Sequence, residues 1–176
     1  MPIKFLFPAS EVLFMPPIKR AIPKRRLVVD VGTGSGEFLK VLKAKSPGMK
    51  VIGFDREPGS KAVIKRNIAE FAMDLKHPER IHTLWFNHVD IISNYAFQEF
   101  SMLVKKLTPG TKLIFTMRKE RSEQVKTACK LLGLKPVTEV PFDPARMIGS
   151  PHSMKFYDES TTNSQRSPQR IIFVKE

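Results

Sequence analysis

Residues 28–38 read VVDVGTGSGEF, with Gly32, Gly34 and Gly36 at alternate positions behind Asp30. The β-branched run before the glycines and the amphipathic stretch EFLKVLKAK after them predict a strand–turn–helix unit. In such a unit glycines let the backbone approach a ligand, while the helix start presents free N–H groups. Nucleotide binding is the chemistry this arrangement offers, and spacing narrows the ligand. A P-loop ends in Gly-Lys-Ser/Thr, whereas Gly36 is followed by Glu37 and Phe38. A dinucleotide fingerprint runs G-x-G-x-x-G, and here the third glycine falls one place early. Charge narrows it further, because Asp30 and Glu37 flanking the turn oppose an anionic pyrophosphate.

Asp55 ends the second predicted strand, KVIGFD, 25 residues after Asp30. An acid at that place accepts ribose hydroxyls of an adenosine moiety. NAD shares the feature, so Asp55 predicts a nucleoside ligand without choosing between donors. The acids beside the turn make the choice, since they attract the sulfonium and ammonium of S-adenosylmethionine. The candidate donor-binding residues are therefore Asp30, Gly32, Thr33, Gly34, Gly36, Asp55 and Arg56.

Strands alternate with helices along the chain, which predicts an α/β fold with a Rossmann-like, doubly wound, mostly parallel sheet. Ser60 is expected to cap a helix carrying Ile64, Ile68, Phe71 and Leu75 at helical spacing. RIHTLWFN, TKLIFTM, KPVTEVPF and RIIFVK read as further strands, the last two pairing antiparallel at an edge. Residues 1–26 form a predicted arm ending in a basic cluster, and residues 27–176 a single domain. A long segment without periodicity, 142–169, is expected to be a loop.

These motifs resemble class I S-adenosylmethionine-dependent methyltransferases. D-x-G-x-G-x-G falls on Asp30, Gly32, Gly34 and Gly36, an acid follows at Asp55, and LTPGTKLIF is similar to the family's entry into its fifth strand. The resemblance covers roughly residues 26 to 140. It implies that Asp30 and the glycines line the methionine end of the donor, with Asp55 on the ribose. The family sheet has seven strands and the sequence shows about six. Its third strand, and the acid that follows it near the adenine, are expected to be missing.

Ligands of open parallel sheets bind at the carboxyl ends of the strands, near the point where strand order reverses. NHVD, at the end of the strand IHTLWFN, is placed there. Asn87 is a candidate to hydrogen-bond a base or amine edge, and His88 or Asp90 to take up a proton; Asp90 has the alternative role of capping the next helix. A narrower resemblance, to bacterial tRNA 7-methylguanosine methyltransferases, rests on the glycine turn and on PARMIGSP and SMKFYDES. Lys155 and Phe156 match that family's late T-K/R-F-E segment, whereas Met154 and Tyr157 depart from it, and its F-P-D-P-W segment is replaced by WFNHVDI.

Lys plus Arg total 30 against 17 Asp plus Glu, a net charge of +13, with a pI near 10.0. That surplus favours a polyanionic partner, RNA first. Lys24, Arg25, Arg26, Arg146, Lys155, Phe156 and Tyr157 are the candidate RNA contacts, cations on phosphates and rings on bases. His77, His82 and His152 lack partners at metal-ligand spacing, so no metal site is expected. Prolines break the apolar start and exclude a spanning helix there, and the single cysteine, Cys129, fits a reducing compartment. A cytoplasmic protein is expected, without membrane association. The expected function is methyl transfer from S-adenosylmethionine to a nucleotide of structured RNA, tRNA favoured. The alternatives are a protein side chain or small molecule as acceptor, or a non-catalytic partner that binds donor or RNA.

Overall fold

A computed structural model describes residues 26–87, 89–141 and 168–176. The predicted arm, apart from Arg26, lies outside the described residues, as does the predicted loop apart from its last two positions. Seven strands form one sheet in the order β3-β2-β1-β4-β5-β7-β6. They are β1 (Leu27–Val31), β2 (Lys50–Asp55), β3 (Ile64–Lys65), β4 (Ile81–Asn87), β5 (Lys112–Arg118), β6 (Leu134–Pro141) and β7 (Pro168–Lys175). The first five run parallel. β7 is antiparallel to both β5 and β6. Strand order reverses between β1 and β4, which sets the ligand edge at their carboxyl ends.

Period-two alternation sorts side chains onto two faces. Val28 and Val51 pack against α1 (Glu37–Lys45) through Phe38, Leu39 and Leu42. The Phe38 ring meets Trp85 edge-on at 5.4 Å. On the opposite face Val29, Val31, Leu84, Phe86, Leu113 and Phe115 form the main core. Helices α2 (Ile68–Asp74), α3 (Asn94–Lys106) and α4 (Ser122–Leu131) contribute Phe71, Phe100, Leu103 and Val125 to it. Stacked ring pairs, Phe54 on Phe71 and Phe86 on Phe115, both at 4.6 Å, fill that layer. Cys129 is buried there, and burial pushes its thiol well above its ordinary range.

The third strand is present, which corrects the expectation that it is missing. It consists of Ile64 and Lys65 alone, paired with Phe54 and Asp55. Two exposed residues at a sheet edge carry no run of buried β-branched side chains, so the helix-like spacing of Ile64, Ile68, Phe71 and Leu75 masks them. The helix itself begins later. Asn67 caps it, accepting from the Glu70 N–H at 2.7 Å while the Glu70 carboxylate accepts from the Asn67 N–H at 2.9 Å. This reciprocal box, not Ser60, satisfies the free amides of the first turn. Asn67→Ala is therefore expected to lower stability by about 1 kcal/mol, whereas Ser60→Ala stays within about 0.5 kcal/mol of wild type; urea melts of the two variants check this.

Candidate functional site

The turn after β1 is pinned to the end of β2. The N–H groups of Gly32 and Thr33 donate to the Phe54 carbonyl at 2.9 and 3.2 Å. The Gly34 N–H donates to Asp55 Oδ2 at 2.8 Å, and the Glu57 N–H to Asp55 Oδ1 at 2.9 Å. The Gly59 N–H closes the far side on the Gly34 carbonyl at 2.9 Å. Gly32 and Gly34 hold φ of 67° and 56°, where a side chain is strained. Their surroundings differ. A Cβ on Gly32 would lie 2.6 Å from Val89 Cγ2, so this glycine lets the chain after β4 pack onto the turn. A Cβ on Gly34 would meet nothing within 4 Å, so that stretch of backbone is open to a ligand. Gly36 begins α1 and packs against Val63.

Asp30 is 1 % exposed and shares a row of the sheet with Gly53 and Trp85. The Thr33 hydroxyl donates to its Oδ2. Gly53 makes that possible, because a Cβ there would lie 2.9 Å from the Thr33 methyl. Asp30 Oδ1, buried, has no hydrogen-bond partner among the described residues. Burial raises the Asp30 carboxyl from 3.8 to about 7; the Thr33 hydroxyl and the nearby Asn87 amide oppose the rise, and the Asp55 charge adds to it. Asn87 approaches without completing a hydrogen bond of ordinary geometry, so its Nδ2 and Oδ1 also have no partner among the described residues. It sits at the last position of β4, level with Thr116 of β5, whose buried hydroxyl likewise has no partner among the described residues. Unsatisfied buried groups each cost about 1–3 kcal/mol, and Asp30, Asn87 and Thr116 gather theirs at one strand edge.

Two cavities adjoin this edge, and Val89 lines both. One, of about 320 Å³, runs past Gly32, Asp55, Asn67, Val89 and Glu99. The other, of about 330 Å³, lies under Phe115, Thr116, Met117, Arg118 and Arg121. Glu99 of α3 is 5 % exposed and meets Arg56 at 3.4 Å. Arg56 in turn lies 5.9 Å from the Tyr95 ring centroid, beside the mouth of the first cavity. Glu99 and Tyr95 carry no motif in the sequence, and only the way α3 packs on α2 and the sheet brings them here.

The structure brings Asp30, Gly32, Thr33, Gly34, Gly36, Asp55 and Arg56 to one edge of the sheet, with Asn87 beside them. Asp90 is exposed, and its Oδ1 accepts from the N–H groups of Ile92 at 2.9 Å and Ser93 at 3.3 Å. Those bonds hold its carboxyl below the usual range, so it serves the approach to α3 and is a poor proton acceptor. His88, Lys24, Arg25, Arg146, Lys155, Phe156 and Tyr157 lie outside the described residues. Arg26 lies at the opposite end of the sheet from Asn87. Among the described residues no cluster of His, Cys, Asp and Glu could hold a metal ion, and no helix is long and apolar enough to cross a membrane.

No protein family model matches the chain. Over 79 residues it is 32% identical to the release factor glutamine methyltransferase of Buchnera aphidicola subsp. Baizongia pistaciae (strain Bp). That stretch is 42% of this chain and spans 28% of the relative's length. Solved structures share far more of the architecture. The 16S rRNA methyltransferase KamB superposes with a TM-score of 0.61 at 11% identity, covering 87% of this chain and 89% of that one. A putative methyltransferase complexed with the Haloferax volcanii Trm112 activator gives 0.57 at 14% identity, covering 88% and 85%. The plantazolicin methyltransferase BamL, with S-adenosylhomocysteine (SAH) bound, gives 0.58 at 10% identity, covering 85% and 77%. Such identities speak to architecture alone: with the strand order, the chain shares the fold of class I S-adenosylmethionine-dependent methyltransferases.

Proposed function

We propose that the protein transfers a methyl group from S-adenosylmethionine to a nucleotide of structured RNA, with tRNA the favoured substrate. The observation that carries the donor half is the carboxyl edge of β1, β2 and β4. There an open glycine backbone, a buried carboxylate with one oxygen unpartnered among the described residues, and a carboxylate at the end of β2 come together. S-adenosylmethionine supplies an electrophilic methyl on a sulfonium. Asp30 neutralises the donor's cationic end, and Asp55, whose oxygens each retain a free lone pair beyond the backbone bonds, holds the ribose. Glu99 stands in the cavity wall as the acceptor for the adenine amine, a role the residues after β3, Arg66 and Asn67, cannot fill as anions. Asn87 orients the attacking group through its unpartnered amide. Methyl transfer is an in-line displacement, so alignment contributes more than a strong base. The net charge of +13 supports RNA as the acceptor.

A second reading, a protein side chain as acceptor, draws on the likeness to the release factor enzyme. Incubation with methyl-labelled S-adenosylmethionine, unfractionated tRNA and cell protein separates the two. Label in the RNA fraction is expected; label confined to protein overturns the RNA reading, and no label in either overturns catalysis.

Donor affinity tests the wall residues: Asp55→Ala and Glu99→Ala are each expected to weaken S-adenosylmethionine binding about tenfold or more, as loss of charged hydrogen-bond partners should. Calorimetry showing wild-type affinity in either variant removes that residue from the site.

Asp30 couples binding and stability to pH. Its folded value, about 7, lies above the unfolded 3.8, so the folded state holds an extra proton between them. Stability therefore falls as pH rises from about 4 to 7. Asp30→Asn is expected to abolish that fall and to raise stability at pH 8 by on the order of 3 kcal/mol. The cationic donor prefers the ionised carboxylate, so wild-type affinity should be higher at pH 8 than at pH 6. In the asparagine variant it should be weak and flat with pH, as calorimetry at both values would show.

A further inference from the structure

A cavity of about 580 Å³ opens at the other end of the sheet, where the strands begin. Arg26, Lys50, Lys76 and Arg80 line it, over an apolar floor of Leu27, Phe71 and Leu75. Three of these cations come from adjacent chain segments held side by side: the Arg26 N–H donates to the Arg80 carbonyl at 3.1 Å, and the Lys50 N–H to the Arg26 carbonyl at 2.7 Å. Neighbouring strands lie about 4.8 Å apart, so the like charges are crowded. Of the other side chains here, Arg66 is paired with Asp74 at 2.9 Å, and His77, a cation only when protonated, meets Glu79 at 3.1 Å. Arg26, Lys50, Lys76 and Arg80 have no ion pair among the described residues. Unmatched cations at this spacing repel one another and are relieved by an anion that bridges several of them.

We propose that this cavity is a second RNA contact, which grips phosphodiester groups of the same RNA whose nucleotide is methylated at the opposite edge. An RNA strand alternates phosphates with apolar sugar and base surface, matching a cationic rim over an apolar floor. A flat anionic membrane does not enter a concavity. β4, Ile81–Asn87, runs from this cavity to the reaction edge, and six residue steps at about 3.3 Å put the two roughly 20 Å apart. An acceptor touching both must be a polynucleotide, not a free nucleotide or other small molecule. The inference rests on the RNA reading and adds to it where the RNA is held.

The test is the double variant Lys50→Glu/Arg80→Glu, with Lys50→Gln/Arg80→Gln as a milder pair. Fluorescence anisotropy follows labelled unfractionated tRNA across a salt series, and calorimetry follows S-adenosylmethionine. The glutamate pair is expected to lose tenfold or more in RNA affinity. The slope of log affinity against log salt should become shallower by about 1.5 in both pairs, as for two lost phosphate contacts. Donor affinity should stay within about twofold. Unchanged RNA affinity and slope in both pairs would overturn the cavity contact while leaving RNA as the acceptor. A wild-type protein that binds no RNA at any salt would overturn both. A parallel loss of donor binding in the glutamine pair would show general damage to the fold and overturn the assignment.

Discussion

The tie between the glycine turn and the end of β2 is the constraint on which the rest of the carboxyl edge depends. Three backbone N–H groups of the turn, those of Gly32, Thr33 and Gly34, end on Phe54 and Asp55. A strand that stops at its neighbour's carboxyl end leaves amides without ladder partners, and here β2 supplies them. This fixes the start of α1, aims Thr33 back onto Asp30 and leaves Gly34 bare. The Val89 contact with Gly32 then carries the constraint across the switch point to the chain after β4. The glycine turn and the chain after β4 are thus registered through one glycine with no room for a methyl group.

Asp30 shows what that registration costs. A carboxylate in an apolar layer, with one oxygen satisfied and the other not, opposes folding at neutral pH. Nothing in the packing of β1 requires an acid; a valine would continue the run of Val28, Val29 and Val31. A sacrifice of stability at one buried position, beside an Asn87 amide that also has no partner among the described residues, supports the proposed donor site.

Much of the donor edge could be read from residue order, because it is built locally. The β-branched run, the glycine spacing and an acid ending the next strand place β1, α1, β2 and Asp55 with no knowledge of tertiary structure. What escaped was short or non-local. β3 has only two residues, and its isoleucine keeps helical step with the helix that follows, so periodicity assigns it wrongly. The Asn67-x-x-Glu70 box was legible as a helix start and outweighs Ser60 on chemistry alone. Glu99 was not legible. In its own helix an acid between Phe97 and Phe100 reads as a solvated position, and only the packing of α3 beside α2 encloses it. Gly53, inside a strand, signals a close approach in general; that the approach is by Thr33 is visible only in three dimensions.

The shortened third strand and the enclosed Glu99 have a common origin. A sheet edge of full length would carry the outer wall of the donor cavity on the segment after β3. With two residues of strand, the chain turns at Arg66 and Asn67 straight into α2, and both side chains are committed, Arg66 to Asp74 and Asn67 to the helix cap. The wall must then come from elsewhere, and α3 is the element that reaches the cavity from the other side, presenting Tyr95, Ala96 and Glu99 along one face. Arg56 bridges the two halves by meeting Glu99 with its guanidinium while lying against Tyr95. Shortening of the edge strand to Ile64 and Lys65 leaves this cavity walled, because the neighbouring helix brings Glu99 and Tyr95 to it. The helix that walls this cavity, α3, is the one that follows Asn87, so the proposed donor wall and the proposed acceptor contact are neighbouring parts of one segment.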